Sequence, residues 1–120
     1  MPKSVLGSVL LFSLMVACAS PAFAHAALLN ADPAPNSTVA APKSFKLTFS
    51  EKIVPAFSGF NLAMDGGRGT SVTSKVSADG KTMTGTPKGS LTPGAYKLSW
   101  HAASVEDGHR TESAYSFKVK

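Results

Sequence analysis

Cysteine is almost absent from this chain of 120 residues, where Cys18 is the single one. It falls in an N-terminal segment expected to be removed, which excludes disulfides, thiolate metal sites and cysteine nucleophiles from the working protein. Stability must then come from apolar packing. Long apolar runs are missing after residue 17, so no stable membrane anchor is expected in the mature chain. Acids are also scarce, 7 against 12 lysines and arginines. The lysines are dispersed, at 43, 46, 52, 75, 81, 88, 97, 118 and 120, and form no basic cluster with interleaved aromatics. Nucleic acid is therefore not an expected partner. Dispersed lysines usually solvate a surface and blunt strand edges. Histidine occurs three times, at 25, 101 and 109.

The N-terminus reads as a secretory leader. Lys3 supplies the positive start, residues 5–17 form a short apolar run, and Pro21 precedes the small-residue box Ala22-Phe23-Ala24. Residues 1–24 are the expected signal peptide and residues 25–120 a single small domain, placed outside the cytoplasm. Without Lys3 the mature chain has 11 basic and 7 acidic residues, a net charge of +4. A rival reading takes Cys18 as a lipoprotein cleavage site and leaves His25 inside the chain. Such sites usually have Leu three residues upstream, whereas Leu14 lies four upstream.

Two-residue periodicity dominates the mature chain. Phe45, Leu47 and Phe49 alternate with Lys46 and Thr48; Phe60, Leu62 and Met64 share a face. Tyr96, Leu98, Trp100 and Ala102 point one way, and Lys97, Ser99 and His101 the other. Tyr115, Phe117 and Val119 close the pattern. Asp79-Gly80 suits a tight hairpin turn between strands at 72–76 and 81–86. Three prolines in residues 30–42 predict an extended loop there, not a strand. About seven short strands with no amphipathic helix predict an all-β, immunoglobulin-like sandwich. Trp100 is expected in the core.

Chemistry is concentrated in three residues. Asp107 and His109 flank Gly108, whose backbone freedom lets two neighbouring side chains converge. Alone, this motif reads more readily as a surface turn than as a metal site. His25 changes the reading if it is the first residue, because its amine and Nδ1 can chelate one ion. With an imidazole from His109 and a carboxylate oxygen from Asp107, the set becomes three nitrogens and one oxygen. Tetragonal Cu(II) suits those donors; zinc would accept them but prefers a tetrahedron.

With these residues in place, the chain resembles the periplasmic copper-resistance carriers of the CopC type. The features are His25, "FSEKI" at 49–53, "LTPGAYKLSWHAASVEDGH" at 91–109 and the closing "YSFKV". The resemblance implies a seven-stranded Greek-key sandwich or barrel with a Cu(II) site near its N-terminal end. It gives His25, Asp107 and His109 the ligand roles, and implies an inner-membrane copper transporter of the CopD type as partner. Glu51, in the FSE box, is either an outer partner of those ligands or a solvated strand-end acid. Some members hold Cu(I) in a methionine-rich loop; here Met64 stands alone in the equivalent stretch and Met83 is isolated, so both are expected in the core. His101 is expected on the surface, where a weak second metal contact is the alternative to no role.

The expected function is a Cu(II)-binding periplasmic protein, not an enzyme, that buffers or carries copper. Two other classes remain open. A copper-dependent oxidative enzyme could use an N-terminal histidine on the same kind of sandwich, but needs an open coordination position and a broad substrate face. A metal-free adhesion or assembly module would not bind copper at all.

Overall fold

The computed structural model describes residues 26–120. The expected signal peptide and His25 lie outside the described residues. Seven strands of five or more residues carry the fold: β1 (Leu28–Asp32), β3 (Phe45–Phe49), β4 (Gly59–Met64), β6 (Val72–Val76), β7 (Thr82–Pro87), β8 (Gly94–Ala103) and β9 (Arg110–Val119). Two short strands, β2 (Thr38–Val39) and β5 (Gly69–Thr70), and a single 3-10 turn at Pro55–Phe57 complete it. They form two sheets, ordered β1-β3-β7-β6 and β2-β9-β8-β4-β5. The hairpins β4–β5, β6–β7 and β8–β9 stay within a sheet, and the other connections cross between sheets. The all-β sandwich expected from the periodicity is what forms. Among the described residues no helix is long and apolar enough to cross a membrane.

Alternation places the core as expected. Phe45, Leu47, Phe49, Tyr96, Leu98, Trp100, Ala102, Phe117 and Val119 are buried, and the intervening residues are not. Aromatic contacts cross the gap between the sheets: Phe45 lies 5.8 Å from Phe117, and Phe49 meets Trp100 edge-on at 5.2 Å. These distances fall within the favourable range for aromatic pairs. The Tyr96 hydroxyl donates to the Thr92 carbonyl at 2.7 Å, which allows a phenol to be buried there. Met83 is fully buried and Met64 packs half-buried against the core. Thr92 donates to the Met64 sulfur at 3.9 Å.

One expectation is corrected. Residues 30–42 are not one loop. Asn30, Ala31 and Asp32 pair with Thr48, Leu47 and Lys46 within β1, while Thr38 and Val39 pair parallel with Lys118 and Val119. Pro33, Pro35 and Pro42 all fall outside these strands, so the missing N–H groups break no ladder. The β6–β7 turn forms where expected, with Gly80 N–H donating to the Ser77 carbonyl at 2.9 Å. Ser77 N–H donates to the Thr82 carbonyl at 2.8 Å, closing a loop in which Gly80 takes φ 76°. The Asp79 carboxylate accepts from Ser77 Oγ and from Lys81 N–H, and the serine bond leads in holding its pKa below the usual value.

Gly85 sets how closely the sheets approach. It pairs with inward-facing Phe45, so a Cβ there would point inward and lie 2.8 Å from both Phe60 Cε2 and Val72 Cγ1. Gly85→Ala should therefore destabilise by roughly 1–3 kcal/mol through overpacking. Urea or thermal unfolding checks this, and an unchanged midpoint would mean that the Phe60 ring moves aside freely.

Candidate metal centre

Three chain segments meet at one end of the sandwich. The first is the start of the described chain: Ala26 is fully buried, and Ala27 exchanges two hydrogen bonds with Ser50. Ala27 N–H donates to Ser50 Oγ at 2.9 Å, and Ser50 N–H donates to the Ala27 carbonyl at 2.9 Å. A β-bulge at Leu29 follows immediately, between the Leu28–Phe49 and Asn30–Thr48 pairs. Bulges re-aim the chain at sheet ends.

The second segment, residues 50–54, crosses from one sheet to the other and bonds to both. Ile53 N–H donates to the Gly80 carbonyl in the β6–β7 turn, and Val54 N–H to the Ala103 carbonyl at the end of β8. The third is the β8–β9 loop, residues 104–109. Val105 N–H donates to the Lys52 carbonyl at 2.9 Å, and Ile53 forms an isolated bridge with Ser104. A continuous backbone path of hydrogen bonds and short peptide links thus joins Ala27, through Ser50 and Lys52, to the Asp107–His109 loop.

Ser104 closes that loop. It is fully buried; its N–H donates to the His109 carbonyl at 3.0 Å and its carbonyl accepts from Gly108 N–H at 2.9 Å. Asp107 Oδ1 accepts from His109 N–H at 2.9 Å, so the carboxylate is held against the backbone of the second donor residue. Gly108 takes φ 68°, a left-handed conformation that disfavours a side chain. Asp107 and His109 are both exposed, so a solvated ion can reach them.

The structure thus holds the Asp107 carboxylate on the backbone N–H of His109 within one loop. Among the described residues no three of His, Cys, Asp and Glu converge as a metal cage, so two donors do not complete a site. The further donors expected from His25 lie outside the described residues. Glu51 is half-buried beside Ser50. Ser50 and Ser104, which fix the approach of the segments, were not among the expected site residues. Their signal in the sequence was adjacency to the FSE and D-G-H stretches, but side-chain capping of a loop leaves no periodic pattern.

His101 lies on the outer face of β8 opposite Glu112 and lines the same groove as Gly108. Burial pushes its pKa below the ordinary histidine value, and the Arg110 cation acts in the same direction. Arg110 pairs with Glu112 at 3.1 Å, with both side chains mostly exposed. Such a pair adds little stability. It also ties up the carboxylate that a metal at His101 would need. A groove of about 540 Å³ runs beside the loop, lined among others by Phe57, His101, Ala103, Val105 and Gly108. Phe57 and Val105 on its rim are 67% and 55% exposed, large apolar side chains left in water.

The CopC domain family model matches residues 28–120, nearly the whole described chain. Copper resistance protein C of Xanthomonas campestris pv. juglandis is 38% identical over 125 residues, covering 98% of this chain and 97% of that protein. Among solved structures, PcoC, described as a methionine-rich copper resistance protein from Escherichia coli, superposes with a TM-score of 0.72. Identity is 34%, with coverage of 81% of this chain and 100% of that one. CopC from Methylosinus trichosporium OB3b gives a TM-score of 0.73 at 31% identity, covering 80% and 94%. The sandwich, the stitched end and the sequence match over nearly the full length agree: the chain belongs to the CopC family.

Proposed function

We propose that this protein binds one Cu(II) in the periplasm through His25, Asp107 and His109, and buffers or carries the ion for copper homeostasis. The observation that carries the reading is the hydrogen-bonded path from Ala27 through Ser50 and Lys52 to the loop that holds Asp107 and His109. His25 is bonded directly to Ala26. Its amine and imidazole, once the leader is removed, would join two donors held on a loop that Ser104 fixes. Membership of a family whose relatives are named copper resistance proteins supports the choice of metal.

The donors favour the oxidised ion. Nitrogen and carboxylate oxygen suit Cu(II), whereas Cu(I) prefers thiolate and thioether sulfur. Met83 is sealed in the core and Met64 packs beside Thr92, at the opposite end from the D-G-H loop. These positions give no sulfur cluster. Asp107 would use Oδ2, since Oδ1 already accepts from His109 N–H. Glu51 would act from outside the ligand set, through its place beside Ser50.

Binding alone satisfies this role, with no reaction catalysed. Delivery to an inner-membrane transporter of the CopD type fits the exposed apolar rim of Phe57 and Val105 beside Gly108. An acceptor docked there would sit next to both donor residues. An oxidative enzyme is the less favoured reading, because Tyr96 and Trp100 are buried and cannot form a flat substrate platform.

A Cu(II) titration against a calibrated competitor tests the ligand set. One equivalent should bind, with a tetragonal, nitrogen-rich EPR signal. Asp107→Asn should weaken binding by removing the anionic donor, and His101→Ala should leave it nearly unchanged. Tight Cu(I) binding that survives loss of His25 would instead place the site at methionine.

Copper should also raise the melting temperature, since it ties the N-terminus to the β8–β9 loop. At a thousandfold excess over Kd the gain is roughly 4 kcal/mol. Calorimetry should show the gain shrinking in acid, where protons compete for nitrogen ligands. Equal shifts at neutral and acid pH would contradict a site built from imidazole and amine.

A further inference from the structure

The two ends of the sandwich carry opposite charge. Around the candidate centre stand Glu51, Asp79, Glu106, Asp107 and Glu112, against Lys52, Lys81 and Arg110, the last paired with Glu112. At the other end the strands β3, β6 and β8 begin and β7 and β9 finish, as the Phe45–Gly85, Val72–Pro87 and Gly94–Val119 pairs show. Five cations gather there: Lys43 before β3, Arg68 in the β4–β5 turn, Lys88 after β7, and Lys118 and Lys120 at the end of β9. All five are exposed, and none is ion-paired among the described residues.

Three of them share a neighbour, and the other two stand at the same end, where β9 finishes. Lys43 lines one cleft with Leu91, and Arg68 and Lys88 line another with the same Leu91, so three cations ring a single residue. Lys118 lines a third cleft with Asp65, the acid of this end. Asp32 is directly opposite Lys46 in the β1–β3 ladder and does not offset the five. The large exposed apolar side chains Phe57 and Val105 lie at the metal end, so the basic pole has no comparable apolar plug.

We infer that this basic pole docks on an anionic bilayer surface and holds the metal end away from the membrane. The ten-residue strands β8 and β9 set the separation of the poles, on the order of 30 Å. Each cation near an anionic surface contributes about fivefold in affinity. Five of them, without apolar insertion, give a weak attachment that salt reverses. The domain would be confined beside the membrane while its centre faces the aqueous phase to load. Release of the pole would then free the apolar rim to meet an acceptor. Which membrane is met rests on the periplasmic reading; the binding itself requires no copper.

Sedimentation of the processed, metal-free protein with vesicles tests this. Vesicles of equimolar phosphatidylglycerol and phosphatidylcholine should bind it at low salt and release it at high salt. Phosphatidylcholine alone should not bind it. The triple variant Lys43→Gln/Arg68→Gln/Lys88→Gln should bind roughly a hundredfold more weakly, while Lys52→Gln/Lys81→Gln at the metal end changes binding far less. If the triple variant is poorly folded by circular dichroism, Lys118→Gln/Lys120→Gln should still lose roughly twenty-fivefold. No binding to the anionic vesicles, equal binding to neutral ones, or equal loss in variants of both ends would overturn the proposal. Unaltered Cu(II) affinity in the triple variant keeps this outcome separate from the copper reading.

Discussion

The short crossing at residues 52–54 is the constraint on which the rest of the structure depends. It is too short to wander, and its backbone is committed to both sheets: Ile53 to Gly80 on one side, Val54 to Ala103 and Lys52 to Val105 on the other. Ile53 is buried at the same point, so hydrogen bonding and apolar packing fix one geometry together. Because the crossing follows directly from Ser50, which holds Ala27, the start of the described chain cannot drift from the β8–β9 loop without breaking this seam. The start of the described chain is thereby kept at the same end of the sandwich as the Asp107–His109 loop.

The same crossing separates two kinds of surface. Phe57, Val105 and the D-G-H loop share one end with most of the acids, and Lys43, Arg68, Lys88, Lys118 and Lys120 share the other. Folding requires neither arrangement, since dispersed charges would solvate the sheets equally well. On the proposed reading, one end would attract and exchange a cation, and the other would keep the domain near an anionic membrane. The aromatic core between them, with Phe45, Phe60, Phe117 and Trp100 packed across the sheets, makes the two ends parts of one rigid unit.

Much of this was legible in the sequence, and the reasons differ by element. Alternation predicted the inward residues of β3, β8 and β9, because a two-residue period with one wet face has a single sensible register. Residues 30–42 misled because the prolines were counted without their phase. Pro33, Pro35 and Pro42 sit beside the paired residues, and Thr38 and Val39 bond in parallel to β9 across a long stretch of sequence. Local spacing around a glycine makes Asp107 and His109 candidates, and the loop that holds them is the part the structure describes. Ser50 and Ser104 had no such signal, since their roles come from contacts that only the folded chain creates. The opposition of charge was hidden for the same reason: the lysines look scattered until the strands bring their ends together.

The claim that matters most is that His25 acts as a terminal residue. Placing one alanine ahead of it keeps the imidazole but turns the amine into an amide, whose nitrogen holds its proton far more tightly than an ammonium group with a pKa of about 8. A competition titration of Cu(II) into this extended protein, beside the native one, should show affinity lower by orders of magnitude but not abolished, because the ring and the Asp107–His109 loop remain. Equal affinity in the two proteins would contradict the account and leave His25 an ordinary residue after a cleavage site.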